Sequence, residues 1–466
     1  MIRRALVTVL MSATALSACA VGPNYKVPAP VAAGQGAFVS AEPAVASAEA
    51  PPGDWWRLFQ DPNVDALVQE ALVANKDIAV AAANLARVRA VLSEARSGLL
   101  PSTTTSASGQ RLRTQLMPGQ VFETDQFSVG IDASYEIDLF GRVRRNLEAN
   151  RADTAAAQAA LDVVRVSVAA ETARAFADAC AANAQIAVAK RTIALQQDTY
   201  DLTARQLDAG RGTALDTASA ATQLETSKAN LPPLEAQRAA ALFRLALLLG
   251  KAPSEAPEVA ANCTTIPQVN QLIPVGDGAG MLARRPDVRQ AERELAAATA
   301  RIGVATAALY PSVSLGGSLS TVAQNAGDLG DDYQFSIGPL ISWNFPNILA
   351  ARARVRQAGA SAEGALANFE KVNLTALQET ETALSAYARE LDRRAALKRA
   401  RDQGETAARL ARLRLEAGSE NLLNVLIQER NLASLEAQLA QSEAQVTTNQ
   451  IALFKALGGG WEKTSE

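Results

Sequence analysis

Few residues in this chain have both the type and the spacing that chemistry requires. There is no histidine among its 466 residues, which removes the commonest general base and the commonest metal ligand together. Triads built on histidine, HExxH helices and histidine-containing zinc sites are therefore excluded. Gly276-Asp277-Gly278-Ala279-Gly280 has the look of a phosphate loop, but it lacks the spacing, the lysine and the preceding strand that such a loop needs. It reads as a linker, and Gly458-Gly459-Gly460 as a helix stop. Asp132, Ser134 and Glu136 alternate along one stretch. A carboxylate pair can share acid and base roles, yet nothing nearby suggests an enclosing pocket, so they read as a hydrated wall. Arg142, Arg144 and Arg145, and later Arg352, Arg354 and Arg356, form two basic clusters. With a net charge of −3 they have no support as a nucleic-acid footprint. Interface anchoring, or pairing with helical glutamates, is the better reading. The sequence predicts no enzyme, no metal site and no cofactor.

The third kind of chemistry-bearing residue is cysteine, at 19, 180 and 263. Arg3 and Arg4 precede a short apolar run, Ala5 to Ala15, and then Leu16-Ser17-Ala18-Cys19. The run is well short of the roughly 20 residues that cross a bilayer as a helix, and its layout is that of a secretory leader. It resembles the lipobox of bacterial lipoproteins, which implies that residues 1–18 are removed and that Cys19 becomes the acylated first residue. Ala20 in the next position resembles lipoproteins sent to the outer membrane. Two acyl chains suffice for stable anchoring, so outer-membrane lipid is one expected partner.

What must position these residues is a duplicated architecture. Leu99-Leu100-Pro101-Ser102 recurs as Leu309-Tyr310-Pro311-Ser312, Gln206-Leu207-Asp208-Ala209-Gly210 as Arg414-Leu415-Glu416-Ala417-Gly418, and Ala241-Leu242-Phe243-Arg244 as Ala452-Leu453-Phe454-Lys455, at offsets of 210, 208 and 211. Three matches in one order indicate a repeated unit. The division that follows is 19–61 as a lipid-anchored extended segment, 62–250 as repeat 1, 251–284 as an equatorial linker, 285–460 as repeat 2 and 461–466 as a tail. Each repeat reads helix, strand, strand, very long helix, return helix. Pro62 to about Gly98 is Ala-rich and free of breakers, hence helical. Phe127 to Ile137, Val313 to Leu319 and Phe335 to Phe345 alternate apolar and polar residues, which is the strand signal and suits a transmembrane barrel at about 10 residues per strand. A fourth strand, 102–112, is mostly Ser and Thr and the weakest of the set. A soluble half-buried sheet would show the same period. Between Gly141 and Gly210 there is neither proline nor glycine. An uninterrupted helix of about 70 residues would be roughly 105 Å long and needs neighbours along all of it. Gly210 and Gly418 would end the long helices, with 214–249 and 421–457 returning antiparallel.

Composition agrees, since 48% of residues are hydrophobic but only 5% aromatic, as long Ala-rich helices and barrel strands require. Four strands cannot close a transmembrane barrel, which takes about eight or more, and an open sheet edge in lipid leaves backbone groups unpaired. A barrel in the membrane must be shared between chains, two giving eight strands and three giving twelve.

Gly22-Pro23-Asn24-Tyr25, Trp55 to Pro62, Tyr135-Glu136-Ile137-Asp138-Leu139-Phe140-Gly141, Ala283 to Val288, Trp343 to Asn347 and Phe454 to Trp461 together resemble the TolC-like outer-membrane efflux family, nearest its NodT/OprM-type efflux lipoproteins. The resemblance implies a mainly α fold with transmembrane β. Three chains would share a twelve-stranded β-barrel, four strands each, continued by a long α-helical barrel. It further implies an exit duct for drugs or other small toxic compounds. The partners would be a periplasmic adaptor and an inner-membrane transporter of the resistance-nodulation-division type. By the same analogy the turns Asp208, Gly210, Arg211, Asp216 and Glu416, Gly418, Glu420, Leu422, Leu423 would form the periplasmic aperture and the adaptor-docking tips. Leu422 and Leu423 would be its hydrophobic constriction, with plain capping as the competing reading. Relatives often carry an aspartate one turn beyond the tip leucine, where this chain has Ile427. A secretion duct for proteins and, from another class, a periplasmic adaptor or coiled-coil scaffold are the alternatives.

Cys180 and Cys263 remain after acylation. The return helix ends level with about residue 175 of the long helix, which brings Cys263 near the height of Cys180. A disulfide, which an oxidising compartment permits, and two buried thiols both fit this placement.

Overall fold

The computed structural model describes residues 20–28, 34, 36–343, 345–346, 348–417 and 419–459. The expected leader, the acylated Cys19, Gly418 and the tail 461–466 lie outside them. The elements are α1 (Pro62–Ala74), α2 (Lys76–Ser97), β1 (Ser102–Met117), β2 (Gln120–Ile137), α3 (Arg142–Asp208), α4 (Ala214–Ala229), α5 (Leu231–Leu248), α6 (Gly278–Arg284), α7 (Pro286–Ala307), β3 (Ser312–Ala323), β4 (Tyr333–Ser342), α8 (Ile348–Glu416) and α9 (Leu422–Ala456). The two long helices have 67 and 69 residues, about 100 Å each at 1.5 Å per residue. Among the described residues no helix is apolar enough over its length to cross a membrane.

Several boundaries differ from expectation for identifiable reasons. The run 62–98 is two helices, because Asn75 stops the first. Its buried side chain accepts from the backbone of Asp77 (2.9 Å) and Ile78 (3.2 Å) and donates to the Leu248 carbonyl (3.0 Å). The return segment 214–249 also breaks, at Asn230, since Pro232 and Pro233 lack the N–H groups a continuing helix would need. The strands of the first hairpin have 16 and 18 residues rather than about 10, and the Ser/Thr-rich strand is the full-length partner of its neighbour. Gly276–Gly280 is not only linker: Asp277 caps α6 by accepting from the Gly280 N–H at 2.7 Å.

The chain forms two compact units, each drawing on both repeats. Unit 1 holds residues 1–29, 83–159 and 289–371, and its centre is one antiparallel sheet in the order β1-β2-β3-β4. Ser102 lies opposite Ser134, Ser134 opposite Gly316, and Gly316 opposite Gly338. The extended segment from Ala20 to Tyr25 docks on this unit. Val21 N–H donates to the Phe140 carbonyl (3.1 Å), and the buried Arg145 guanidinium donates to Asn24 Oδ1 (2.6 Å) and to the Val21 carbonyl (3.3 Å). Gly22 sits where a Cβ would come within 2.5 Å of the Gly303 backbone, so no larger residue fits without a shift.

Unit 2 holds residues 30–82, 160–288 and 372–466. Its core packs Trp55 against Phe454, stacked at 5.0 Å between ring centres, with Leu245, Leu249, Leu453 and Leu457 fully buried. Along α3, Ala169, Ala175, Ala179 and Cys180 are wholly buried. Such small side chains let neighbouring helices approach closely, and that packing supports a helix far longer than its propensity alone could. The 251–284 stretch is tied to α9: Gln450 exchanges hydrogen bonds with the backbone of Val269 (3.1 and 2.8 Å), and Thr447 donates to the Pro267 carbonyl (2.8 Å).

Candidate conduit wall and hairpin tips

Side chains on a strand point alternately to the two faces of its sheet, and the cross-strand registers fix which residues share a face. One face carries Phe127, Val129, Ile131, Ala133, Tyr135 and Ile137, with Val313, Leu315 and Leu319 beside them and Phe335, Ile337 and Ile341 on the last strand. Most of these are solvent-exposed in the single chain, Ile337 at 76% and Phe335 at 73%. Exposed apolar side chains over three adjacent strands form a surface that water does not favour. The opposite face carries Ser128, Asp132, Ser134, Glu136, Ser314, Ser318, Ser320, Gln334 and Ser336, with Leu112, Phe122, Val322 and Leu340 as its departures. Asp132, Ser134 and Glu136 thus share the polar face. Glu136 is held by Arg142 (Nε to Oε1 2.8 Å). Asp138 accepts from the Val143 and Arg144 backbone N–H groups at 3.1 and 2.9 Å, an anion at a helix N-terminus. The first arginine cluster therefore pairs with strand-end carboxylates as well as with a helical glutamate, Glu148, which Arg145 contacts at 2.8 Å. Above the apolar band, and on the same face, Arg111 and Arg113 lie 3.3 and 3.4 Å from Glu123.

The two helix-to-helix turns are built alike. Gly210 has φ +68°, a left-handed cap, and the Arg211 N–H reaches back to the Gln206 carbonyl at 2.8 Å. In the second turn Ser419 N–H reaches the Arg414 carbonyl at 2.9 Å. Thr213 and Asp216 form a capping box on α4, with the Thr213 hydroxyl donating to Asp216 Oδ2 at 2.6 Å. Asn421 caps α9 through Asn424 N–H at 2.9 Å. Asp208, Arg211, Glu416 and Leu423 are exposed, whereas the Asp216 carboxylate is engaged at home. Leu422 is corrected most. It is 8% exposed, packed in an apolar cluster with Ala220, Leu426, Tyr200 and Leu415, and so it joins the hairpins together. Of the two tip leucines only Leu423, 63% exposed, is available to a constriction.

Sequence reasoning missed the polar cluster just beyond those leucines. Glu429 is 2% exposed. It accepts from Arg412 Nη2 at 2.7 Å, from Thr199 Oγ1 at 3.1 Å and from Gln196 Nε2 at 3.3 Å. Burial pushes its carboxyl above the usual range, against the opposing pull of Arg412 and Thr199. The signal was present: Leu422, Val425, Leu426 and Glu429 occupy one buried helical stripe, and a carboxylate in such a stripe demands a partner. Deeper in unit 2, Cys180 and Cys263 are joined as a disulfide, with Cα atoms 5.2 Å apart. Asn183 Nδ2 braces the Cys263 carbonyl at 2.9 Å.

Comparison with known proteins gives a consistent picture. The family model described as outer membrane efflux protein matches residues 67–251 and 280–459, well over half of the chain. A probable efflux pump outer membrane protein of Pseudomonas putida, TtgC, is 31% identical over 475 residues, covering 99% of this chain and 97% of that relative. Nodulation protein T of Rhizobium leguminosarum is 29% identical over 451 residues, covering 96% and 92%. Among solved structures, the outer-membrane channel OprN superposes with a TM-score of 0.88 at 35% identity, covering 95% of this chain and all of that one.

Proposed function

The chain belongs to the outer membrane efflux protein family, and on that premise we propose that three copies share one twelve-stranded barrel as the exit duct of a tripartite pump. It is an efflux channel of the outer membrane with a TolC-like fold. The observation that carries the reading is the sheet: four strands, a polar face opposed by one that is apolar over β2, β3 and β4, and two edges that pair with no other strand among the described residues. Lipid supplies no hydrogen bonds to an open edge, so such a sheet requires other strands to close it. With its apolar face outward, the polar face lines a water-filled lumen, where Asp132, Ser134 and Glu136 bias ion traffic without catalysing anything.

In this reading the acylated Cys19 adds a lipid anchor, and the residues after it are held by Arg145. A periplasmic adaptor docks at the hairpin tips around Asp208, Gly210, Arg211, Glu416, Gly418 and Glu420, and an inner-membrane resistance-nodulation-division transporter delivers the cargo. The duct supplies no energy and passes drugs or other small toxic compounds handed to it. In the same reading Leu423 and Asp216 belong to the aperture. The test is accumulation of a fluorescent efflux substrate in cells that lack their outer-membrane channel but keep adaptor and transporter. Supplying this chain with its cognate partners lowers accumulation, and Leu319→Arg, which places a charge on the lipid face, abolishes the effect. No change on supplying the chain would overturn the reading.

A further inference from the structure

Among the described residues the sheet ends in two open edges, β1 on one side and β4 on the other. We propose that β4 pairs antiparallel with β1 of a second copy of this chain in one register, Ser342 opposite Ser106 of the partner subunit. The inference rests on the shared-barrel reading and goes beyond it by fixing which residues meet at the seam.

Two observations carry it. The first is the face pattern. The face that carries Asp132, Ser134 and Glu136 takes the even-numbered residues of both edge strands, so a slip of one residue at the seam would set Phe335, Ile337 and Ile341 of β4 level with the partner subunit's polar face. Even residues must meet even residues.

The second is the duplication, which extends to individual hydrogen bonds. In the first hairpin the Ser102 hydroxyl donates to the Ser134 carbonyl at 3.1 Å, and in the second the Ser312 hydroxyl donates to the Ser342 carbonyl at 3.2 Å. Ser108 and Ser128 share a hydroxyl–hydroxyl bond of 2.8 Å, and so do Ser318 and Ser336. The first strands of the hairpins are thus equivalent at an offset of 210 and the second strands at an offset of 208. Within one chain the hairpins join with Ser134 opposite Gly316. Carried forward by the same offsets, Ser134 becomes Ser342, and Gly316 is the equivalent of Ser106. A ring in which every hairpin-to-hairpin joint is alike therefore sets Ser342 against Ser106 of the partner subunit.

This register uses both edges fully. The ten residues of β4 fall opposite 106–115, inside the sixteen-residue β1. Continuing the row Ser102–Ser134–Gly316–Gly338 without stagger would instead set Gly338 against Ser102, leaving 339–342 opposite the turn that precedes β1. Stagger between strands is also what closing a sheet into a barrel demands.

Cysteine pairs test the register. Directly opposed Cβ atoms are about 4.5–5.5 Å apart and diagonal ones about 7–8 Å, while a disulfide needs about 3.5–4.5 Å. Full-length protein in outer membranes, carrying Ser342→Cys with one of Ser102→Cys, Thr104→Cys, Ser106→Cys or Ser108→Cys, is oxidised mildly and run on non-reducing gels. The pair with Ser106→Cys is expected to give covalent trimers about tenfold more efficiently than the flanking pairs. Strongest linkage through position 102, 104 or 108 would overturn the register and leave the shared barrel standing. No linkage from any pair, with monomers in native gels, would overturn both.

Discussion

Truncating Arg412 should destabilise this protein more than altering the glutamate it serves. Glu429 is 2% exposed, whereas the Arg412 side chain is 32% exposed. Arg412→Ala leaves a buried carboxylate without its counter-charge, and removing one partner of a buried pair costs about 3–5 kcal/mol. Glu429→Gln keeps the shape and most of the hydrogen bonds with Thr199 and Gln196, and the freed guanidinium can reach water, so its cost is about 1 kcal/mol. The pH dependence has a definite sign. Burial raises the carboxyl's pKa in the folded protein above its ordinary value, so the folded state binds the proton more tightly than the unfolded chain. The contribution of this group to stability is therefore greatest at low pH and falls as pH rises through the folded value. Arg412→Ala removes a group that opposes the shift, so its penalty should be largest at pH 8 and shrink toward pH 5, as Glu429 takes up a proton. The assay is thermal unfolding of detergent-purified protein between pH 5 and 8 for wild type, both single variants and the double variant. At pH 8 the double variant should be more stable than Arg412→Ala alone, because no buried charge remains. A smaller loss for Arg412→Ala than for Glu429→Gln at neutral pH, or a loss indifferent to pH, would refute the reasoning.

Three further expectations can be checked separately. The Cys180–Cys263 disulfide spans a sequence separation of 83 residues. Opening it should cost about 4.5 kcal/mol in the chain-entropy model, seen as a lower melting temperature for Cys263→Ser and for wild type under reductant; identical melting would contradict this. Leu319→Arg on the apolar face should cost about 2–4 kcal/mol in the membrane and deplete the protein from outer-membrane fractions, while Ser318→Arg on the polar face inserts normally. Equal yields would argue that the faces do not divide lipid from lumen. In bilayer recordings Leu423→Ala should raise closed-state conductance. Asp216→Ala should do so too but also lose a capping residue worth about 1 kcal/mol, so Asp216→Asn separates charge from cap; unchanged conductance in all three would sink the aperture assignment.

The duplication, the strand pairs, the uninterrupted helices and the turn glycine Gly210 were legible because each leaves a local mark: a repeated tetrapeptide, period-two alternation, an absence of proline, a left-handed cap. Features decided by long-range contacts were not. Asn75 ends a helix because the return helix supplies a carbonyl for its amide, and nothing in an Ala-rich run announces that. The Ser/Thr-rich β1 looked weak because strand propensity reflects packing on neighbours, and its neighbour β2 supplies a complete partner edge. Leu422 and Leu423 are adjacent in sequence, yet one is buried against another hairpin and the other exposed. Helical phase separates them by about 100°, and only the packed structure says which direction is inward. The Pro232-Pro233 break could have been read directly, since two prolines cannot continue a helix from its preceding turn.

The most direct test of the central claim is electron microscopy of the full-length protein purified in mild detergent. Three chains around one axis, with their strands closing a single twelve-stranded ring, is the expected result. Monomers with the four-stranded sheet still open, or a ring closed by a different number of chains, would contradict it.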